Sequence, residues 1–213
     1  MILAGVASLA SLASALLTAN LASKAQDYLD GRISEDEFLD ANAIAPLGQL
    51  LSTAPLIAAG VFGVIWMYRI AVNARAIGRT TTFAPVFAVL GWILPPILFV
   101  LPLLVLRELW KASDPDTPPG SDGWRASGEN PLLYLWFVVY GVIPTILTAL
   151  SLESVLDAAL NLDTDAQSIA EVTAATGGAQ VILGGVVSVI SGVVWIVFVR
   201  QLTERHVQLT GER

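Results

Sequence analysis

Residues 66–111 read WMYRIAVNARAIGRTTTFAPVFAVLGWILPPILFVLPLLVLRELWK, and the fold turns on whether the chain crosses a bilayer inside this stretch or turns back. It opens on an aromatic and basic rim, Trp66, Tyr68 and Arg69, of the kind found at lipid headgroups. Arg75 and Arg79 follow in a short polar turn, and apolar sequence resumes from Phe83 to Leu106. At about 1.5 Å per residue that run is long enough to span. Pro95 and Pro96 interrupt it, removing two amide donors from its middle and leaving halves too short to cross alone. Broken backbone at membrane depth is tolerated where it is buried against protein or lines a cavity. The stretch is therefore expected to form a proline-broken re-entrant or interfacial helical hairpin over 83–111, with Pro95, Pro96 and Pro102 as its break. A kinked fifth crossing is the alternative.

Outward from this stretch, the chain reads as membrane-spanning helix. Its 213 residues are 55% hydrophobic and 14% charged, with a mean hydropathy of +0.70, too apolar for a soluble domain of this length. Spanning helices are expected at 2–22, 46–68, 131–152 and 178–199, all within one membrane domain. The run from Ile2 to Ala22 lacks a basic leader and exceeds the usual signal-peptide core, so it reads as a helix that stays. Between the helices lie an acidic loop (23–45), a basic turn (69–82), a Pro- and Gly-rich loop (112–130), a second acidic loop (153–176) and a tail (200–213). Ser34 followed by Glu37 is a capping-box pattern and predicts a short helix inside the first acidic loop. That loop lacks the Gly and terminal Glu of a calcium-binding loop, so its carboxylates read as solvated.

Charge gives the orientation. With the hairpin returning, Arg69, Arg75 and Arg79, then Arg107, Lys111 and Arg125, then Arg200, Arg205 and Arg213 share one side, nine of the eleven Lys and Arg residues. The two acidic loops share the other side. Positive residues mark the cytoplasmic face, so the C-terminal tail is expected inside. Five crossings place eight of the eleven inside. What favours four crossings is the layout, two helix pairs each enclosing an acidic loop.

The pattern W-x-Y-R-x-x-x-N-A-R-x-x-G (Trp66, Tyr68, Arg69, Asn73, Ala74, Arg75, Gly78), then Gly91, Trp92 and Pro95, then Pro102 and the run Leu106 to Pro115, resembles a bacterial membrane-protein family known as domain of unknown function 4328. Where the family pattern sets a polar Asn and an aromatic between the prolines, Leu98 and Val100 stand here. The resemblance implies a multi-pass bacterial plasma-membrane protein and supplies no activity.

The residues argue against catalysis. There is no Cys, and the single His, His206, lies in the tail, so an imidazole metal or haem site needs ligands from another chain. No glycine-rich phosphate loop or metal spacing is present, no cofactor is expected, and nucleic acid is not an expected partner. No ionisable residue falls inside the apolar segments, which weighs against a proton-coupled pump. The expectation is a non-catalytic membrane scaffold or interaction protein with a rim that holds anionic phospholipid, the alternative being a small channel or carrier gated by the hairpin. The rim residues are Arg69, Asn73, Arg75, Glu108, Trp110 and Lys111, with Glu108 expected to pair with Arg69 or Arg75. Small-residue stripes, Ala7, Ser11 and Ala15 in the first helix and Gly184, Ser188 and Gly192 in the last, are expected to carry contact between copies of the chain.

Overall fold

The computed structural model describes residues 1–93, 99–152, 156, 165–176 and 178–211. The described elements are α1 (Ile2–Leu29), α2 (Glu35–Asn42), α3 (Ala45–Ala76), α4 (Phe87–Leu90), α5 (Val100–Ala112), a 3₁₀ turn (Asp122–Ala126), α6 (Pro131–Leu150), α7 (Ala166–Thr176) and α8 (Ala179–Thr210). Among the described residues, four helical stretches are long and apolar enough to cross a membrane, and they contain α1, α3, α6 and α8.

These four helices run up and down. On α1 and α8, Gly192 lies against Ser8 and Gly185 against Ala15, so the two helices are antiparallel. Gly48 near the start of α3 meets Leu17 of α1, which makes that pair antiparallel as well. Asn130 at the start of α6 bonds to Gln201, and Ser151 just past its end bonds to Gln180, so α6 opposes α8. It follows that α3 ends at the same end of the bundle at which α6 begins. The chain between them leaves and returns at that end.

Small residues set the α1–α8 distance. A Cβ on Gly192 would lie 1.8 Å from Ser8 Oγ, and one on Gly185 would lie 2.7 Å from Ala15 Cβ. Ala7 and Ala15 are buried. The stripes expected to serve contact between copies are thus engaged within the chain at Ala7, Ala15 and Gly192, because close backbone approach is what such residues permit. Ser11 is half-buried and its hydroxyl donates to Ala7 O, while Ser188 is half-buried. Gly184 has nothing within 4 Å of its Cβ direction, and the close contact falls on Gly185 instead.

The core gathers at the basic end around Met67, Leu106, Leu109, Trp136, Phe198 and Leu202. Aromatic rings fill the layer beneath it. Trp136 stacks on Tyr140 at 4.9 Å, and both meet Trp92, while Trp195 lies 5.1 Å from Trp136. Within α6, residues Phe137–Val142 widen into a π-helical turn just before Pro144, whose ring clashes with a regular preceding turn. A small second core, Ala25, Phe38 and Ala170, joins α1, α2 and α7 at the other, acidic end. Ser34 caps α2, its hydroxyl accepting from Glu37 N at 3.3 Å.

Of the proline-broken segment, α4 and α5 are described; Pro95 and Pro96 lie outside the described residues. At 13 residues, α5 is about 20 Å long, short of the ~30 Å hydrocarbon core. It packs on α4, with Gly91 set against Leu101 and Pro102. Pro102 is buried in the first turn of α5, a position that needs no amide donor.

Candidate functional site

The basic end is a lattice of loops held by arginines. Gly78, at φ 83°, turns the chain out of α3, and Gly120, at φ 77°, lies against it; a Cβ on Gly78 would sit 3.1 Å from Gly120 Cα. The residue after this turn is Arg79, which is 1% exposed. Its guanidinium donates to four carbonyls of the 113–121 loop, Asp114 O at 3.1 Å, Thr117 O at 2.6 Å, Pro118 O at 3.1 Å and Ser121 O at 3.1 Å. A rigid planar fork suits such a cradle better than a Lys ammonium. Burial pulls this guanidinium below its usual pKa, and the nearby Asp114 carboxylate opposes that pull.

Asp114 joins the lattice to α8. Its carboxylate accepts from Thr117 Oγ1 at 2.7 Å and from Arg205 Nη2 at 2.6 Å. Arg205 also reaches Ser127 Oγ and lies over the Trp110 ring at 4.9 Å. Next to it on α8, His206 is buried with its Nδ1 3.1 Å from Ser113 Oγ. The residues expected to form a tail are therefore helix and core.

Two side chains grip the 81–83 turn from opposite chemistries. Arg75 donates to Thr81 Oγ1 at 2.9 Å and to Thr81 O at 3.0 Å. Glu108, on α5, accepts from the amides of Thr82 at 2.5 Å and Phe83 at 3.0 Å. The expected ion pair of Glu108 with Arg69 or Arg75 is thus replaced. Unpaired amides at the loop are better partners for the carboxylate, and Arg75 is already committed to the carbonyls of the same turn. Glu108 thereby ties α5 to the 82–83 turn at the other end of the segment.

Beside Glu108 lies a cleft of about 230 Å³ lined by Thr82, Phe83, Leu104, Arg107, Glu108, Lys111, Trp124 and Arg125. Its cations come from α5 and the 3₁₀ turn. Arg107 forms a fork with Glu129, with Nη2 at 2.6 Å, and Lys111 Nζ lies 2.9 Å from the same carboxylate. Tyr134 donates to it as well, at 3.0 Å. The Arg107 bonds, with help from Lys111 and Tyr134, hold Glu129 down to about 2. Arg125 bonds to Thr80 O at 2.6 Å and stacks over Trp124, which fits into a hollow made by Ala74 and Ala112. The cleft opens beside exposed Leu104, so apolar and cationic walls meet.

Of the rim residues expected from sequence, Glu108 and Lys111 line this cleft, and Arg75 supports it through the 81–83 turn. Trp110 is set behind it, its indole donating to Gly128 O at 3.0 Å. Among the described residues the exposed Arg69 side chain has no hydrogen-bond or ion-pair partner, and Asn73 accepts through its backbone oxygen, from Ile77 N. Arg79, Arg107, Arg125 and Arg205 entered the sequence reading only as positive charges on one side, and neither Asp114 nor Glu129 was expected at the site. A signal that could have found the Arg79 cradle is the pair of turn glycines, Gly78 and Gly120.

These features define an all-helical protein with four helices of membrane-crossing length and apolarity among its described residues, closed at one end by an arginine-held lattice. The chain belongs to the family described as Domain of unknown function (DUF4328), whose model matches residues 29–204. That range covers the lattice apart from Arg205 and His206, and every element of the bundle except nearly all of α1 and the last six residues of α8. No curated protein and no solved structure matches the chain.

Proposed function

We propose that this chain is a non-catalytic integral scaffold of the bacterial plasma membrane. It crosses four times, with the 83–111 segment re-entering from the cytoplasmic side and the basic end facing the cytoplasm. The reading is carried by one observation: the chain leaves α3 and enters α6 at the same end, with Glu108 bonded to Thr82 and Phe83 across the base of the segment. The lattice gives that end a fixed shape, and the Arg107–Lys111–Arg125 cleft beside Leu104 suits an anionic headgroup whose chains run into lipid. A channel gated by the hairpin fits less well, because Trp92, Trp136, Tyr140 and Trp195 pack the interior beside it.

The test is lipid titration of the purified full chain read by native mass spectrometry. Phosphatidylglycerol is expected to bind in preference to phosphatidylcholine, and Lys111→Gln and Arg125→Ala are each expected to weaken it about fivefold, near 1 kcal/mol per cation. Equal binding of the two lipids would remove the lipid-holding role. Solute flux through liposomes carrying the chain would replace the scaffold with the channel.

A further inference from the structure

At the opposite end of the bundle, a second cleft of about 250 Å³ lies between α1 and α3, lined by residues that include Ser14, Thr18, Asn20, Lys24, Ala41 and Gly48. Its α1 wall is one helix face, since residues three and four apart are neighbours. From Ser14 to Lys24 the face rises about 15 Å, with Leu17 and Leu21 among the hydroxyls. Asn20 and Lys24 stand at the mouth of the groove, and deeper in, Leu17 lies with Ser14 and Thr18, whose hydroxyl donates to Ser14 O.

The charges at the mouth are specific. Two cations stand at this end, and Arg32 is bound to Asp27 at 2.9 Å and to Asp30. Among the described residues Lys24 has no side-chain hydrogen-bond or ion-pair partner, although the surrounding surface carries many carboxylates, and it is only half-exposed at the cleft. Asn20, one turn below, makes no side-chain hydrogen bond among the described residues either. On α2, Glu37 is exposed outside the cleft's lining, one turn before the lining residue Ala41 and on the same face, and its carboxylate has no ion pair among the described residues. A lone ammonium with an amide beneath it suits a phosphate, whereas the carboxylates beside it disfavour a headgroup of net negative charge.

We propose that the α1–α3 cleft holds a zwitterionic aminophospholipid, with its phosphate on Lys24 and Asn20 and its primary amine toward Glu37. This site goes beyond the anionic-lipid cleft at the basic end and shares with that reading only the placement of α1 and α3 in a bilayer. The experiment uses the full chain in nanodiscs of equal phosphatidylethanolamine, phosphatidylglycerol and phosphatidylcholine, extracted and read by native mass spectrometry. Wild type is expected to retain phosphatidylethanolamine. Lys24→Ala is expected to lower that retention about fivefold, and Lys24→Arg to preserve most of it. Glu37→Gln is expected to erode the preference over phosphatidylcholine, and Lys111→Gln to leave phosphatidylethanolamine unchanged. Helicity by circular dichroism accompanies each variant. Undiminished phosphatidylethanolamine on a folded Lys24→Ala chain overturns the proposal, as does Lys24-dependent retention of phosphatidylglycerol equal to that of phosphatidylethanolamine. Loss of phosphatidylglycerol selectivity at Lys111 alone bears on the basic end and not on this site.

Discussion

Glu129 shows how much of the basic end depends on single groups. Four donor atoms converge on its carboxylate, Arg107 Nε and Nη2, Lys111 Nζ and Tyr134 Oη, and they hold it at about 2 against an ordinary 4.5. A carboxylate lowered by folding stabilises the folded state fully above its unfolded value, and that contribution is lost as pH falls toward the folded value. Glu129→Gln is therefore expected to lower the melting temperature at pH 7. The gap from wild type should narrow as pH drops below 4.5 toward about 2. Thermal melts of both chains in one detergent across that range make the check, and a gap independent of pH contradicts it. The carboxylate is partly exposed, so the effect is modest and weakens with salt. Nothing in the sequence near Glu129 announces this role. Its partners lie on α5 and α6, and an isolated Glu in a Pro- and Gly-rich loop reads the same whether solvated or bound.

At the scale of the helix, the α1–α8 contact is decided by which glycine faces the neighbour. Gly185 offers a Cβ position 2.7 Å from Ala15 Cβ and 3.4 Å from the Leu12 backbone, so Gly185→Val forces the helices apart. Overpacking of this kind costs about 1 to 3 kcal/mol, and the melting temperature should fall by several degrees. Gly184→Ala meets nothing within 4 Å and removes a poor helix former, so it should be neutral or slightly stabilising. Equal melting temperatures for the two variants would mean that the contact is not close. Sequence spacing located this stripe to within one residue, because a 3.6-residue period leaves adjacent glycines on neighbouring faces. The same limit shows at the helix ends. Apolarity stops near Ala22, Tyr68 and Val199, yet α1, α3 and α8 continue to Leu29, Ala76 and Thr210. Lys, Gln, Glu and Arg favour helix as well as water, so hydropathy marks the lipid boundary and not the end of the helix.

For the whole molecule, the apolar runs made the spanning helices legible, whereas the lattice was not, since Arg79 meets carbonyls about 35 to 42 positions away in the chain and no local period encodes such a contact. Helices α1 and α8, of 28 and 32 residues, measure about 42 and 48 Å and so stand clear of a ~30 Å hydrocarbon core at their ends. With α1, α3, α6 and α8 alternating in direction, the loops carrying Asp36 and Asp165 share one end, and Ser121, whose carbonyl binds Arg79, lies at the other. The chain has no Cys, so single substitutions at these three positions report side without background. Maleimide labelling in intact and permeabilised cells is expected to give Asp36→Cys and Asp165→Cys one accessibility and Ser121→Cys the opposite one, with Ser121→Cys labelled only after permeabilisation. If Asp36→Cys and Asp165→Cys fall on opposite sides, an odd number of crossings separates them. The 83–111 segment must then traverse the bilayer, and the Glu108 bond to Thr82 and Phe83 loses its place at the base of a returning chain.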